Sequence, residues 1–282
     1  MYYDIVNEPW IESPFFYQIL KEKKPSSYLK KIATDMHENG YCIIDLKLAE
    51  KLITDINEDI FKAISQNLIK KNPQIYHYNK SPRIVEAWKY SKKISKLANN
   101  KILKSVLRFL YNAKPLPFST INFVAGTEQP FHSDSIHFGS MPEKYLVGAW
   151  VALESTNKDN GPLAVIPKSH KFPLMSYQSL KLKTPTSMKE LEKSYRVYEK
   201  FIHNLIKIKK LKIKELHVKK GQAILWSANL IHGGTKLRKK KLTRKSQVIH
   251  YHFDNCDFYY NPGFSETKKG LYMKRKLDMV RN

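Results

Sequence analysis

The stretch Gly126-Thr-Glu-Gln-Pro-Phe-His132-Ser-Asp134-Ser-Ile-His137 decides how this chain of 282 residues is read. A histidine and a carboxylate two residues apart share one face of an extended strand, because side-chain direction repeats every second residue. Imidazole and carboxylate together suit a divalent transition metal, and a second histidine would complete one coordination face. That ligand must come from elsewhere in the chain. Ala223-Ile-Leu-Trp-Ser-Ala-Asn-Leu-Ile-His232-Gly-Gly reads as a buried strand running out to a histidine and a glycine turn, so His232 is the candidate. A lone histidine at such a position is more often structural, and a His-x-Asp pair alone is a weak signal. The two together, 100 residues apart on separate predicted strands, are much more specific.

Outward from these segments the texture is that of short strands. Alternating or apolar runs at residues 119–125, 145–153, 163–166, 223–227 and 246–253 are separated by turn residues, and Asn157-Lys-Asp-Asn-Gly-Pro162 is a strong turn signal. This spacing predicts an antiparallel sandwich or barrel of the jelly-roll kind. The earlier chain differs. Residues 1–40 mix aromatics, prolines and lysines, which predicts short helices and an irregular arm, and Gly40-Tyr-Cys-Ile-Ile-Asp45 reads as a short buried strand. Leu52, Ile53, Ile56, Ile60 and Ile64 predict a helix over 46–67. Ile94, Leu97, Leu103, Val106, Leu107 and Leu110 predict a second over 92–112, stopped by Pro115 and Pro117. An insertion over 172–218 interrupts the strands, with a helix expected over 188–208 and an exposed basic ribbon over 206–213. The expected architecture is a single domain, mainly β with N-terminal helices. A helical scaffold over 1–116 packs on a β core over 117–256, and residues 257–282 form a tail.

Hydrophobic residues make up 42% of the chain, too many for disorder. No apolar run approaches the roughly 20 residues that span a bilayer. The N-terminus lacks the basic flank and apolar stretch of a signal peptide, and Cys42 and Cys256 offer no disulfide framework. The expectation is a soluble cytoplasmic protein. Net charge is +25, from 50 Lys and Arg against 25 Asp and Glu. Seven of the fourteen residues over 207–220 are lysine, and a second run covers 236–245. A solvated basic surface is the simplest reading. The sharper ones are steering of an anionic substrate or attraction to nucleic acid or a membrane surface.

Arg244 opens the last long strand, and its planar fork of donors matches a carboxylate bidentately, as lysine cannot. A dicarboxylate that chelates a metal at one end needs such a partner at the other. Ser246, two residues on, faces the same way and could add a hydroxyl donor. Gln129 and Asn122, on or near the metal-bearing strands, could also bond co-substrate or substrate. Arg238 reads as a solvated loop charge, His170 as structural and Trp226 as core, whereas His137 could either pack or face a substrate. His250 and His252 share one strand face that alternates with Tyr251 and Phe253, and the pattern leaves open which pair is buried.

Five blocks carry a family resemblance: Pro117-Phe-Ser-Thr-Ile-Asn-Phe, the stretch from Gly126 to Asp134, Val147-Gly-Ala-Trp-Val-Ala-Leu-Glu154, Asn160-Gly-Pro-Leu-Ala-Val-Ile-Pro-Lys-Ser-His170, and the segment from His232 to Arg244. In this order, across residues 35–265, they resemble the phytanoyl-CoA dioxygenase family. The resemblance implies a double-stranded β-helix (jelly-roll, cupin-like) core, iron(II), and 2-oxoglutarate as co-substrate. By position it implies His132, Asp134 and His232 as iron ligands, Arg244 on the distal carboxylate of 2-oxoglutarate, and Trp150 lining the co-substrate pocket. The implied reaction consumes O2, releases succinate and CO2, and hydroxylates a small molecule, anionic if the basic surroundings are a guide. A carboxylate at Asp134 disfavours halogenation. Two departures stand out: Gly234 replaces a hydroxyl residue often found there, and Lys168 replaces the usual turn glycine. The alternatives are a binding protein that has lost turnover, or an oxygenase acting on a polyanionic macromolecule. Nucleic acid is not the expected partner, and neither the substrate nor the oligomeric state is encoded in these motifs.

Overall fold

Capping residues and helical apolar spacing set the first layer. The computed structural model describes residues 7–66, 75–78, 81–177, 179–183, 185–262 and 277–281. Helices α1 (Phe16–Lys23) and α2 (Ser27–Asn39) lead into strand β1 (Tyr41–Asp45). Ser26 starts α2 by accepting from the Leu29 amide, and Gly40 ends it at φ 80°, a left-handed conformation that suits glycine. Helix α3 (Glu50–Ser65) buries Ile53, Ile56 and Ile60. It starts four residues later than its periodicity predicts, and residue 67 of the predicted span lies outside the described residues. The helix predicted over 92–112 is two, α4 (Lys92–Ala98) and α5 (Lys101–Tyr111). Asn99 closes the first, and the Asn100 side chain accepts from the Leu103 amide to start the second. Asparagine competes for backbone partners in this way, and the apolar spacing hides it.

Between these helices lies a hairpin, β2 (Ile75–Tyr78) and β3 (Ser81–Val85), which the apolar pattern does not signal. The remaining strands are β4 (Pro115–Phe123), β5 (Gly139–Met141), β6 (Val147–Ala152), β7 (Leu163–Val165), β8 (Lys214–Leu216), β9 (Gln222–Ser227), β10 (His232–Gly234), β11 (Ser246–Phe253) and β12 (Phe258–Tyr260). Helix α6 (Met188–Ile208) precedes β8. The basic ribbon expected over 206–213 is instead the end of α6 and a turn, in which the Leu211 amide bonds the Ile206 carbonyl. A Lys/Ile alternation two residues in period is overridden there by continuing helix. The tail folds back: β12 pairs with β5, and the Val280 amide donates to Pro117. Residues 263–276 and 282 of that tail lie outside the described residues.

The main sheet runs β1-β9-β6-β11-β4-β3-β2 with every neighbour antiparallel, and a smaller sheet runs β10-β7-β8. Register settles which residues meet. Trp226, Gly148, His250 and Ser119 form one rung, and Ile224, Trp150, Val248 and Ile121 the next. Alternation sends these rungs to one face. There Trp150, Ile224, Val248 and Ile121 pack with Leu163, Val165 and Leu216 of the smaller sheet. Residues of opposite parity, among them Ala149, Leu225 and Ile249, join Ile53, Leu97 and Leu107 of the helices in a second core. The helical layer therefore backs the main sheet, and the space for a site opens on its other face.

Lys168 precedes the short 3-10 turn at Ser169–Lys171 with φ 71°. A side chain here carries backbone strain of roughly 1 kcal/mol that glycine would avoid. Among the described residues, no helix is long and apolar enough to cross a membrane.

Leu107 is fully buried between helix and sheet. Leu107→Ala should cost about 3 kcal/mol in chemical denaturation. A loss below about 1 kcal/mol would contradict tight packing of the helical layer.

Candidate active site

The two histidines meet through their own backbones. The His132 amide donates to the His232 carbonyl at 2.9 Å, and the His232 amide returns a bond to the His132 carbonyl at 2.8 Å. This isolated antiparallel bridge sets the two residues opposite one another, with ring centroids 4.6 Å apart. The strand expected to carry both His132 and Asp134 is absent: His132 makes only this bridge, and Asp134 opens a 3-10 turn (Asp134–Ile136). The two-residue spacing still works because Ser133 between them is extended, at φ −112° and ψ 148°.

Each imidazole is oriented by its rear nitrogen. Nδ1 of His132 lies 2.9 Å from the Pro130 carbonyl, and Nδ1 of His232 lies 2.9 Å from the Leu230 carbonyl. A carbonyl only accepts, so both Nδ1 atoms carry the proton and both Nε2 atoms present a lone pair. Each Nε2 stands 3.8 Å from Asp134 Oδ1. The three ligand atoms all lie within 4.8 Å of one another and are buried. Two bonds of about 2.1 Å span up to about 4.2 Å, enough for one ion to sit between the carboxylate and either imidazole at 3.8 Å. Burial, with His232 alongside, pushes His132 well below the usual imidazole range, and burial lowers His232 as well. Both are therefore neutral, the form that binds metal. Burial alone would raise the Asp134 carboxyl, but the imidazoles of His232 and His250 hold it well below the usual carboxylate range.

The other carboxylate oxygen is held from behind. Trp226 Nε1 donates to Asp134 Oδ2 at 2.7 Å, and His250 Nε2 lies 3.4 Å from the same atom. Trp226 is buried as expected of core, yet its indole also fixes a ligand, which periodicity alone does not reveal. Its neighbour across the sheet is Gly148, where an added Cβ would overlap the indole. Both pairs left open by the sequence are buried, Tyr251 and Phe253 in the core against the helices and His250 and His252 on the opposite face. His250 faces the cavity, whereas His252 stacks on Phe118 and bonds the Tyr145 carbonyl.

A second cluster lies at Arg244. The guanidinium is buried, donates from Nη1 to the Gly161 carbonyl at 2.6 Å, and sits 5.4 Å from the centre of the Trp150 ring. The turn predicted at 157–162 is thus what holds the arginine. Burial lowers its pKa to about 10, so it stays charged at neutral pH. Arg244 Nε, Trp150 Nε1 and Ser246 Oγ are all buried without a partner in the protein. Leaving a buried donor unpaired costs about 1–3 kcal/mol. Arg244 Nε and the neighbouring Trp150 Nε1, on two residues that line the cavity, mark a place where an acceptor fits. Ser246 has the parity of the cavity face but sits behind the lining, which includes Arg244, Trp150, Gln129, His132, Asp134 and His232. Gly234 lacks the hydroxyl for a physical reason: a Cβ there would stand 3.0 Å from the backbone nitrogens of Glu128 and Gln129.

Gln129 Nε2 lies 3.1 Å from His132 Nε2, inside the cavity. Asn122 does not reach it. Its parity turns it to the helical side, where it donates to Gln247, which in turn donates to the Ile94 carbonyl. The expected role for Asn122 at the co-substrate is therefore corrected. His170 bonds the His37 carbonyl outside the cavity lining, and Arg238 is an exposed loop residue beside Glu215.

The cavity measures about 660 Å³. His137 faces it and packs 5.0 Å from the Tyr195 ring, and burial lowers its pKa to about 4 despite the opposing Asp134. Met188, Leu191 and Tyr195 of α6 form part of the wall. Tyr198, on the same helix, accepts from the Ser133 amide at 2.9 Å and so ties the insertion to the ligand loop. Helical periodicity marks Tyr198 as buried without revealing that partner.

The profile described as Phytanoyl-CoA dioxygenase (PhyH) matches residues 36–246. A bovine protein named "Phytanoyl-CoA dioxygenase, peroxisomal" is 27% identical over 156 residues, covering 55% of this chain and 42% of the relative. A Caenorhabditis elegans "Probable phytanoyl-CoA dioxygenase" is 24% identical over 225 residues, 79% of this chain and 64% of the relative. The chain thus spans less than two thirds of either relative's length. Among solved structures, the α-ketoglutarate-dependent epimerase SnoN superposes with a TM-score of 0.63 at 12% identity, over 91% of this chain and 100% of SnoN. EctD from S. alaskensis, solved with 2-oxoglutarate and 5-hydroxyectoine, gives a TM-score of 0.63 at 17% identity, over 90% of this chain and 84% of EctD. At such identities these structures speak for the fold alone. The profile match takes in both bridged histidines, Asp134 and Arg244, and this chain belongs to the phytanoyl-CoA dioxygenase family.

Proposed function

We propose that this chain is an iron(II)- and 2-oxoglutarate-dependent dioxygenase that hydroxylates a small molecule, built as one domain around a double-stranded β-helix. One observation carries the reading: a buried two-histidine, one-carboxylate set shares a cavity with a buried arginine whose own Nε and the neighbouring Trp150 Nε1 have no partner in the protein. His132, Asp134 and His232 would hold iron(II), a set that leaves positions open for O2 and for a bidentate 2-oxo acid. Arg244 would pair with the distal carboxylate, with Trp150 against it. Ser246 is the buried hydroxyl nearest in parity to take over from the one absent at Gly234. Bound together, the metal and 2-oxoglutarate supply the oxidising chemistry, yielding succinate and CO2 as a C–H bond is hydroxylated. The chain's own part is positional. Trp226 and His250 occupy Asp134 Oδ2 so that Oδ1 faces the ion, and the carbonyls of Pro130 and Leu230 fix both imidazole tautomers. With iron bound, the Asp134 carboxylate would take the place that a halide would need, which favours hydroxylation.

A macromolecular substrate would call for the lysines of 207–220 and 236–245 to converge on the cavity. Among the described residues, none of them lines it. That favours a small molecule, with His137, Tyr195, Arg83, Glu86 and Lys89 among the polar groups that line the cavity.

Anaerobic addition of iron(II) and 2-oxoglutarate should give the metal-to-ligand charge-transfer band of the chelate. His132→Ala and His232→Ala should abolish it, and full colour in His232→Ala would refute the ligand assignment. Arg244→Lys should keep the band but weaken 2-oxoglutarate binding by about 30-fold, since a buried charged fork is lost. Trp226→Phe keeps the ring and removes the donor to Asp134, so iron affinity should fall by about 10- to 100-fold in metal titration. Unchanged affinity would remove the indole from the site's machinery. Gly148→Ala, which displaces the same indole, should act in the same direction.

A further inference from the structure

The cavity uses only one side of α6. Tyr198 and Ile202 are buried against the body of the protein, and Met188, Leu191 and Tyr195 wall the cavity. On its outer side, Val197, Phe201 and Ile208 are 45%, 37% and 76% exposed, and Ile213 in the following turn is 52% exposed. Spacings of four and seven residues place the first three along one strip of the helix. Lys193, Lys200 and Lys207, at seven-residue intervals, form a parallel row beside it. From Lys200 to Lys214 the chain holds six lysines and no acidic residue. The flanking carboxylates are Glu199, immediately before Lys200, and Glu215, which faces His217 and Arg238. An exposed aliphatic strip bordered by a lysine-rich run is thus set on one helix and its closing turn.

Two kinds of partner must be matched at once by this surface. The charge calls for a polyanion, and the isoleucines call for an apolar phase within a few ångströms of it. A bilayer with anionic headgroups offers both, with acyl chains about 5–10 Å below the charged layer. A nucleic-acid backbone satisfies the lysines and leaves the isoleucines in water. A second copy of this surface would set lysine against lysine. We propose that Val197, Phe201, Ile208 and Ile213, together with the lysines of 200–214, dock this protein on the face of an anionic membrane. Docked in this way, the helix that walls the cavity lies along the lipid surface, with the exposed Met188 at the cavity rim. The proposal is independent of how the metal site is read.

The test is flotation of the full chain with vesicles of phosphatidylcholine alone, or of phosphatidylcholine mixed with phosphatidylserine. Binding to the mixed vesicles and not to the neutral ones is expected, with release at about 1 M salt, where screening falls to about 3 Å. Lys207→Gln, Lys209→Gln and Lys212→Gln combined should reduce partitioning by about fivefold per lysine. Ile208→Ser with Ile213→Ser leaves the charge unchanged and should reduce it by about tenfold. All five positions are exposed, so the thermal midpoint should not move. Lys21→Gln, Lys24→Gln and Lys30→Gln combined change the charge equally on the far helical layer, and should leave binding intact. Failure to bind mixed vesicles, indifference to the isoleucine changes, or an equal loss in this control would overturn the proposal. So would tight binding of a DNA duplex that the isoleucine changes leave untouched, with no vesicle binding.

Discussion

A reciprocal pair of backbone hydrogen bonds between His132 and His232 holds the site together. It joins a loop to the start of β10, and the loop's other regular feature at the ligands is the 3-10 turn that Asp134 opens. Opposed residues of an antiparallel bridge project to the same side a few ångströms apart, so two imidazoles arrive side by side without further adjustment. Everything else at the centre follows from that placement. Carbonyls two residues before each histidine fix the ring nitrogens, and Asp134, one extended residue on from His132, swings beneath both. The glycines that follow His232 let the bridge close, because side chains at Gly233 or Gly234 would press on the backbone of residues 128–131.

The main sheet supplies the second half of the arrangement through register alone. Gly148, Trp226 and His250 fall on one rung, so the absence of a side chain at 148 is what gives the indole its place against Asp134. Farther along the same face, Trp150 and Arg244 meet over the turn at Gly161. One pleated face thus positions both the support of the metal ligands and the candidate carboxylate clamp. The strands fix Trp226, His250 and Trp150, while Arg244, two residues before β11, is held by the Gly161 carbonyl of the turn.

How much of this is legible in the sequence depends on whether a contact is local or distant. Strands β4, β6, β7, β9 and β11 show in alternation, α6 is read to the residue, and the ligand triad is visible as residue types at telling positions, whereas the three-residue strands β5, β8 and β12 are too short to show a period. Asn122 is misassigned because nearness to a metal-bearing strand does not fix parity, and parity sends it to the helices. Trp226 is read as core alone because no local pattern distinguishes a buried indole that fills space from one that also donates to a ligand. The helix break at Asn99 and Asn100 and the hairpin of β2 and β3 are missed because apolar spacing continues through the first and is too sparse in the second. Lys168 shows the reverse case: the missing glycine is legible, and the backbone keeps its left-handed turn nonetheless.

The central claim is that the bridged histidines and Asp134 bind one ion as a single set. X-ray absorption on the anaerobic iron(II) complex of the full chain addresses it most directly, since imidazole rings give a distinctive outer-shell scattering. The account predicts two imidazoles per iron with nitrogen and oxygen donors at about 2.0–2.2 Å. One imidazole or none would contradict it.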